Sequence, residues 1–283
     1  MGSENYTDVV GARMPIGPVN GVQLFWEQTG EHGVPLVLVH GSWGDHHNWH
    51  AVVPALSKSF RVVTYDRRGH SQSERLATQG SIDEDADDLA TLVRTLSIAP
   101  AHIIGNSFGA AIVLRAATRH RDIFASLAVH EPPLFGLLPA ADVVGLRQRL
   151  ERVAALLQRG DHRAAAEQFV ETVGFGPGTW AQLPPAMQET FVVNAPTFLD
   201  ELQEPAALTM DLTRLTGFDR PTLATKGTAS PPLFEHVLEK VTNALPRHVL
   251  HTFTGAGHIP HVTHPDDYVR VLSDFLLGSM TTA

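Results

Sequence analysis

No cysteine occurs anywhere in the 283 residues. That excludes disulfides, thiolate metal sites and a cysteine nucleophile. Positive charge is scarce as well: 21 Lys and Arg stand against 30 Asp and Glu, a net charge of -9, and no basic run stands out. An acidic surface repels phosphate backbones and anionic lipid, which argues against nucleic acid or a membrane surface as the main partner. No stretch is apolar and long enough to span a bilayer. Met1 to Val10 lacks the basic flank and apolar middle of a secretion signal, so a cytoplasmic location is expected. Asn5-Tyr6-Thr7 fits the glycosylation pattern, but without secretion it is a chance match. There is no phosphate-cradling glycine loop and no flavin or nicotinamide fingerprint, so no cofactor is expected.

What the chain does have is apolar text, 43% of its residues. Short apolar runs alternate with helix-period stretches, the pattern of a mostly parallel sheet flanked by helices. Val22 to Glu27 reads as an early antiparallel strand after an Asn20-Gly21 turn. Further strands are expected at Leu36 to Val39, Arg61 to Tyr65, Ala101 to Ile104, Ser126 to His130, Thr222 to Thr225 and His248 to Phe253. Helical spacing marks Asp83 to Leu96, and Ser107 to Thr118 is so apolar that it should be a buried helix. Leu233 to Ala244 and Asp266 to Leu277 each follow prolines placed where helices begin. Residues 132–216 break this rhythm with helical text and a Gly/Pro knot at Gly174 to Gly178. They form a helical cap inserted into a core made of residues 1–131 and 217–283.

Gly105-Asn106-Ser107-Phe108-Gly109 follows one apolar strand and opens the apolar helix. In that strand–turn–helix context G-x-S-x-G thrusts a serine out at the carboxyl end of the sheet, over a helix N-terminus. A competing cluster, Gly69-His70-Ser71-Gln72-Ser73, lacks the fifth-position glycine and reads as a loop. Of 16 histidines, His258 lies after the last strand in Gly255-Ala256-Gly257-His258, where a flexible loop can bring an imidazole over the serine. His261 and His264 are expected to be loop or supporting residues. The oxyanion donors are expected at the backbone N–H of Phe108 and of Ser42, the latter in His40-Gly41-Ser42-Trp43-Gly44. His46, His47 and His50 suggest metal, but no nearby carboxylate set completes a shell, so no metal is expected.

His40-Gly41, Trp49, Tyr65-Asp66-Arg67-Arg68-Gly69-His70-Ser71, the Ser107 elbow and Gly257-His258 together resemble the α/β-hydrolase superfamily. The resemblance implies an α/β-hydrolase fold, a structural ion-pairing role for Asp66 and Arg67, and a variable cap. It also implies a triad acid after Thr222 to Thr225, yet the loop 226–232 holds no carboxylate before Glu235. Glu131, at the end of the preceding strand, is the other carboxyl-end position beside the histidine, with Asp219 the runner-up at the wrong end of the sheet. Zearalenone-type lactonases carry their acid at that alternative place, and His130-Glu131-Pro132-Pro133 and the text from Gly257 to Pro265 are similar to theirs. Dehalogenases also use that place, but their nucleophile is Asp.

The expected activity is hydrolysis of a carboxylic ester or lactone of a hydrophobic small molecule by Ser107, His258 and Glu131. Trp43, Leu134, Phe135, Trp180, Phe191 and Ile259 are the candidate pocket residues, each equally able to pack the cap onto the core. A carbon–carbon bond hydrolase or lyase, a cofactor-free cyclase and a non-catalytic receptor are the alternatives on the same fold. No feature assigns an oligomeric state.

Overall fold

The computed structural model describes residues 16–76, 80–204 and 206–280. Met1 to Val10 and the Asn5-Tyr6-Thr7 match lie outside the described residues. In chain order the elements are β1 (Ile16–Val19), β2 (Val22–Thr29), β3 (Val34–Val39), α1 (Val53–Leu56), β4 (Phe60–Tyr65), α2 (Ile82–Thr95), β5 (Ala101–Asn106), α3 (Phe108–Arg119) and β6 (Phe124–His130). There follow α4 (Val144–Gln158), α5 (His162–Phe169), α6 (Pro185–Gln203), β7 (Thr222–Gly227), α7 (Pro232–Ala244), β8 (His248–Phe253), α8 (Pro260–Thr263) and α9 (Pro265–Met280).

The strands form one eight-stranded sheet in the order β1-β2-β4-β3-β5-β6-β7-β8. The β1–β2 and β2–β4 pairs are antiparallel and all others parallel. All seven strands expected from the sequence are present. β1 was not expected: Gly17 and Pro18 weaken its own preference, and its pairing to β2 at the sheet edge makes it.

The inner strands are buried on both faces, which is why they are mostly apolar. Along β3 the side chains alternate: Val37 and Val39 join the core under α2 and α3, while Leu36 and Leu38 join the core under α1 and α9. α2 starts at a reciprocal cap in which Ser81 accepts from the Glu84 N–H and Glu84 accepts from the Ser81 N–H, with acids following in the first turn. α3 is almost entirely buried, as its apolar composition requires.

From β3 the chain crosses to β4 on one side and then to β5 on the other. The loops after β3 and β5 therefore part at the carboxyl ends of two adjacent strands and leave a crevice there. Between β6 and β7 no strand occurs among the described residues. α4, α5 and α6 pack there around Val153, Ala166, Trp180, Phe191 and Phe198, with a π-turn at Val170–Gly174 closing α5. One core residue joins that cluster, Trp43 from the loop after β3.

Candidate active site

Ser107 caps the N-terminus of α3 with φ 56° and ψ -125°, a conformation few side-chain-bearing residues adopt. The two flanking glycines are demanded by contact. A Cβ at Gly105 would lie 2.4 Å from the Gly109 carbonyl oxygen, and one at Gly109 would lie 2.3 Å from that of Val39. Gly41 is fixed the same way, since its Cβ would come 2.9 Å from that of Ser107. The loop after β3 thus lies directly against the serine. The Ser107 N–H donates to the His130 carbonyl at 2.9 Å, which ties the turn to the end of β6.

Three side-chain-bearing residues with positive φ sit at neighbouring strand ends: Trp43 after β3, Ser107 after β5 and Glu131 after β6. Glu131 is fully buried. Its Oε1 accepts from the Gly227 N–H at 2.8 Å, and its Oε2 lies 2.7 Å from Nδ1 of His258. Nε2 of His130 approaches the same Oε2 at 3.5 Å. Burial would raise the carboxyl's pKa, but the imidazoles of His130 and His258 reverse that and hold it well below the usual carboxylate range. His258 is buried between Phe234, stacked at 4.3 Å, and Phe175, edge-on at 6.0 Å. Asn106, next to the serine, donates from Nδ2 to the His258 carbonyl at 3.0 Å. Ser107 and His258 both line the same two cavities.

A family model described as "alpha/beta hydrolase fold" matches residues 34–265. The chain belongs to the alpha/beta hydrolases. The hydrolase is 29% identical to an uncharacterized hydrolase, YraK, of Bacillus subtilis (strain 168), over 80% of this chain and 82% of that one. It is 27% identical to the 2-hydroxymuconate semialdehyde hydrolase of Pseudomonas sp. (strain CF600), over 86% and 87%. The enol-lactonase of Burkholderia xenovorans LB400 superposes with a TM-score of 0.79 at 25% identity, covering 93% of this chain and all of that one. The acetyltransferase component of the acetoin cleaving system of Pseudomonas putida is 41% identical over 112 residues, 39% of this chain and 30% of that longer one.

Of the expected pocket residues, Phe135, Phe191 and Ile259 line the cavities beside Ser107 in this hydrolase. Trp43, Leu134 and Trp180 do not. Trp43 is fully buried against Phe169 and Phe198, Leu134 packs in the core under α3, and Trp180 packs inside the helical segment. Their apolar surface joins elements together instead of facing a cavity. Ser42 lines both cavities and Phe108 one of them. The Phe108 N–H is among the helix's first donors, which have no acceptor within the helix. Asp219 stays exposed before β7, at the end of the sheet away from His258. His264 is half-buried beside Thr263, whereas His261 is fully buried, tilted against Trp49 with ring centres 4.5 Å apart, and lines a cavity with Ser107. Three carboxylates do stand beside His46, His47 and His50: Glu27, Asp45 and Asp66, brought there by β2, the loop after β3 and the end of β4.

Glu201 was missed. It comes from α6, is buried, and lines the larger cavity with Ser107. Its Oε2 accepts from the Ser42 hydroxyl at 2.5 Å and its Oε1 from Arg67 Nη1 at 3.0 Å, while Arg67 also binds Asp85 through Nε and Nη2. Burial raises the Glu201 pKa against the pull of Arg67. Asn194 and Thr197, on the same face of α6, reach Gly44, Ser71 and His70. No local signal announces this seam, because its partners lie more than 120 residues away in sequence.

Proposed function

We propose that this hydrolase cleaves a carboxylic ester or lactone of a hydrophobic small molecule through an acyl-enzyme on Ser107. The carrying observation is the 2.7 Å contact between Glu131 Oε2 and His258 Nδ1, with the carboxylate kept ionised. The acid holds the proton of the imidazole on Nδ1 and leaves Nε2 as the base. The Ser107 oxygen attacks the carbonyl carbon as its proton passes to Nε2, and the oxyanion is held by the N–H groups of Phe108 and Ser42. The C–O bond breaks, and Nε2 gives its proton to the leaving alcohol or to the opening ring oxygen. Water then repeats the sequence on the acyl-enzyme and releases the acid.

The aromatic and aliphatic walls of the larger cavity, among them Phe135, Phe169, Phe198 and Phe234, favour an apolar substrate group. The enol-lactonase neighbour is in keeping with a lactone. The semialdehyde hydrolase relative keeps a second reading in view, carbon–carbon cleavage of a ketone by the same residues. A panel of aryl esters, lactones and ring-opened diketones separates the two. Turnover of the oxygen esters that falls about 10⁴-fold in Ser107→Ala is the expected result. Turnover confined to the diketones would favour the second reading, and near-normal turnover by Ser107→Ala would defeat both.

A further inference from the structure

The 3-10 turn His46–Trp49 and the residue after it carry three histidines that the proposed chemistry does not use. One ligand atom from each of His46, His47 and His50 lies within 4.8 Å of the others. Two of the rings are already oriented by buried carboxylates. Nδ1 of His46 is 2.6 Å from Asp66 Oδ1, and Nδ1 of His47 is 3.2 Å from Asp45 Oδ2. A carboxylate on one ring nitrogen fixes the tautomer and leaves a lone pair on the other, which is how histidines are prepared to bind metal. The fourth donor comes from a separate strand: the Glu27 carboxylate of β2 stands 3.7 Å from His46 Nε2 and 3.8 Å from His50 Nε2.

We propose that His46, His47, His50 and Glu27 form a site for a divalent transition metal, with His46 as its fixed ligand. Three imidazoles and one carboxylate suit zinc, nickel or copper, whereas calcium and magnesium take oxygen donors. Donors on one tetrahedral zinc, at bonds of about 2.0–2.1 Å, lie about 3.3 Å apart. Oε1 of Glu27 toward His46 and Oε2 toward His50 are each within about half an ångström of that spacing, so the carboxylate bridges the two rings. His46 and Asp66 are buried and stay put, the ring of His47 is held at Nδ1 by Asp45, and the half-exposed ring of His50 is free to turn. The His47 ring lies tilted against that of His46, with ring centres 3.9 Å apart.

The site is separate from Ser107 but mechanically joined to it. Asn48, within the same turn, lines the smaller cavity, and the Trp49 ring packs against His261, which lines it too. Metal would clamp the turn that forms one wall of that cavity.

Isothermal titration of the tag-free protein with zinc chloride and with nickel chloride tests the site, alongside thermal unfolding with and without metal. One equivalent should bind saturably and raise the unfolding temperature. His50→Ala and Glu27→Gln should each weaken binding about tenfold or more, and His32→Ala, an exposed histidine elsewhere, should not. Cobalt should give a visible absorption band in the wild type and lose it in His50→Ala. The proposal is overturned if no saturable binding occurs with any of the three metals, or if binding survives both substitutions unchanged.

Discussion

A single departure from the superfamily pattern points to Glu131 as the proposed acid. The stretch from Lys226 to Pro232 holds no carboxylate, and a serine–histidine pair with no acid would leave the imidazole's tautomer unset. Glu131 could be chosen from the sequence because it ends a strand at the carboxyl side of the sheet and because the resemblance to zearalenone-type lactonases implies an acid at that place. Glu201 could not, since nothing near it in the chain hints at a partner on the loop after β3. Nor could residue type separate Phe135, which faces a cavity, from Trp43, which is packed on all sides. At this scale Glu131→Gln is expected to leave the fold intact and lower kcat by about 10³–10⁴, because an amide can present its N–H to Nδ1 and impose the wrong tautomer. Circular dichroism and initial rates check it together. Glu201→Ala should lower kcat about ten- to a hundredfold with little change in KM, by releasing the Ser42 side chain and so blurring the donor geometry.

Among the elements, strands buried on both faces and helices begun by prolines were legible because one local cause makes each. β1 was not, as its cause is the neighbouring strand. The turn between β5 and α3 is tightly constrained on both sides of the serine. Gly105 and Gly109 each have backbone within 2.4 Å of where a Cβ would lie. Gly109→Ala must therefore push α3 off the end of β3, and cannot relax by turning a side chain. Its predicted cost is several kcal/mol, on the order of the worst core substitutions. That should show as an unfolding temperature at least about 10 °C lower, or as protein recovered only in aggregates. Gly257→Ala, with nothing near its Cβ position, should be tolerated far better in the same assay.

At the scale of the whole molecule, a mostly parallel sheet flanked by helices followed from periodicity and the hydrolase fold from the resemblance, whereas the strand order and the seam between α6 and the core did not. Buried histidines give the molecule a further property. Burial pulls His40 and His102 down to about 4 and holds His70, His130 and His261 below the usual imidazole range. His40 shows the neutral form directly: Nε2 accepts from the Arg67 N–H at 3.0 Å, so its proton sits on Nδ1 toward the Gly41 carbonyl. As pH falls from about 6.5 to 4, the unfolded chain takes up protons that the native state refuses, so stability falls through that window. His40 alone is worth on the order of 3 kcal/mol by its lower end. Glu131 adds to the loss as pH drops below about 4.3, since its folded pKa is depressed and its ionised pairing is forfeited. Urea unfolding at pH 7 and pH 5 should show a clear drop in stability, and an unchanged midpoint would contradict the neutral assignments.

The relay itself can be watched on one atom. Incubation with a fluorophosphonate, followed by intact-mass measurement and peptide mapping, reports whether an activated oxygen stands at position 107. One adduct on Ser107, formed at least about a hundredfold more slowly in Glu131→Gln and not at all in Ser107→Ala, is the outcome that a working Ser107–His258–Glu131 relay requires. Labelling at another residue, or a rate indifferent to the loss of the Glu131 charge, would contradict it.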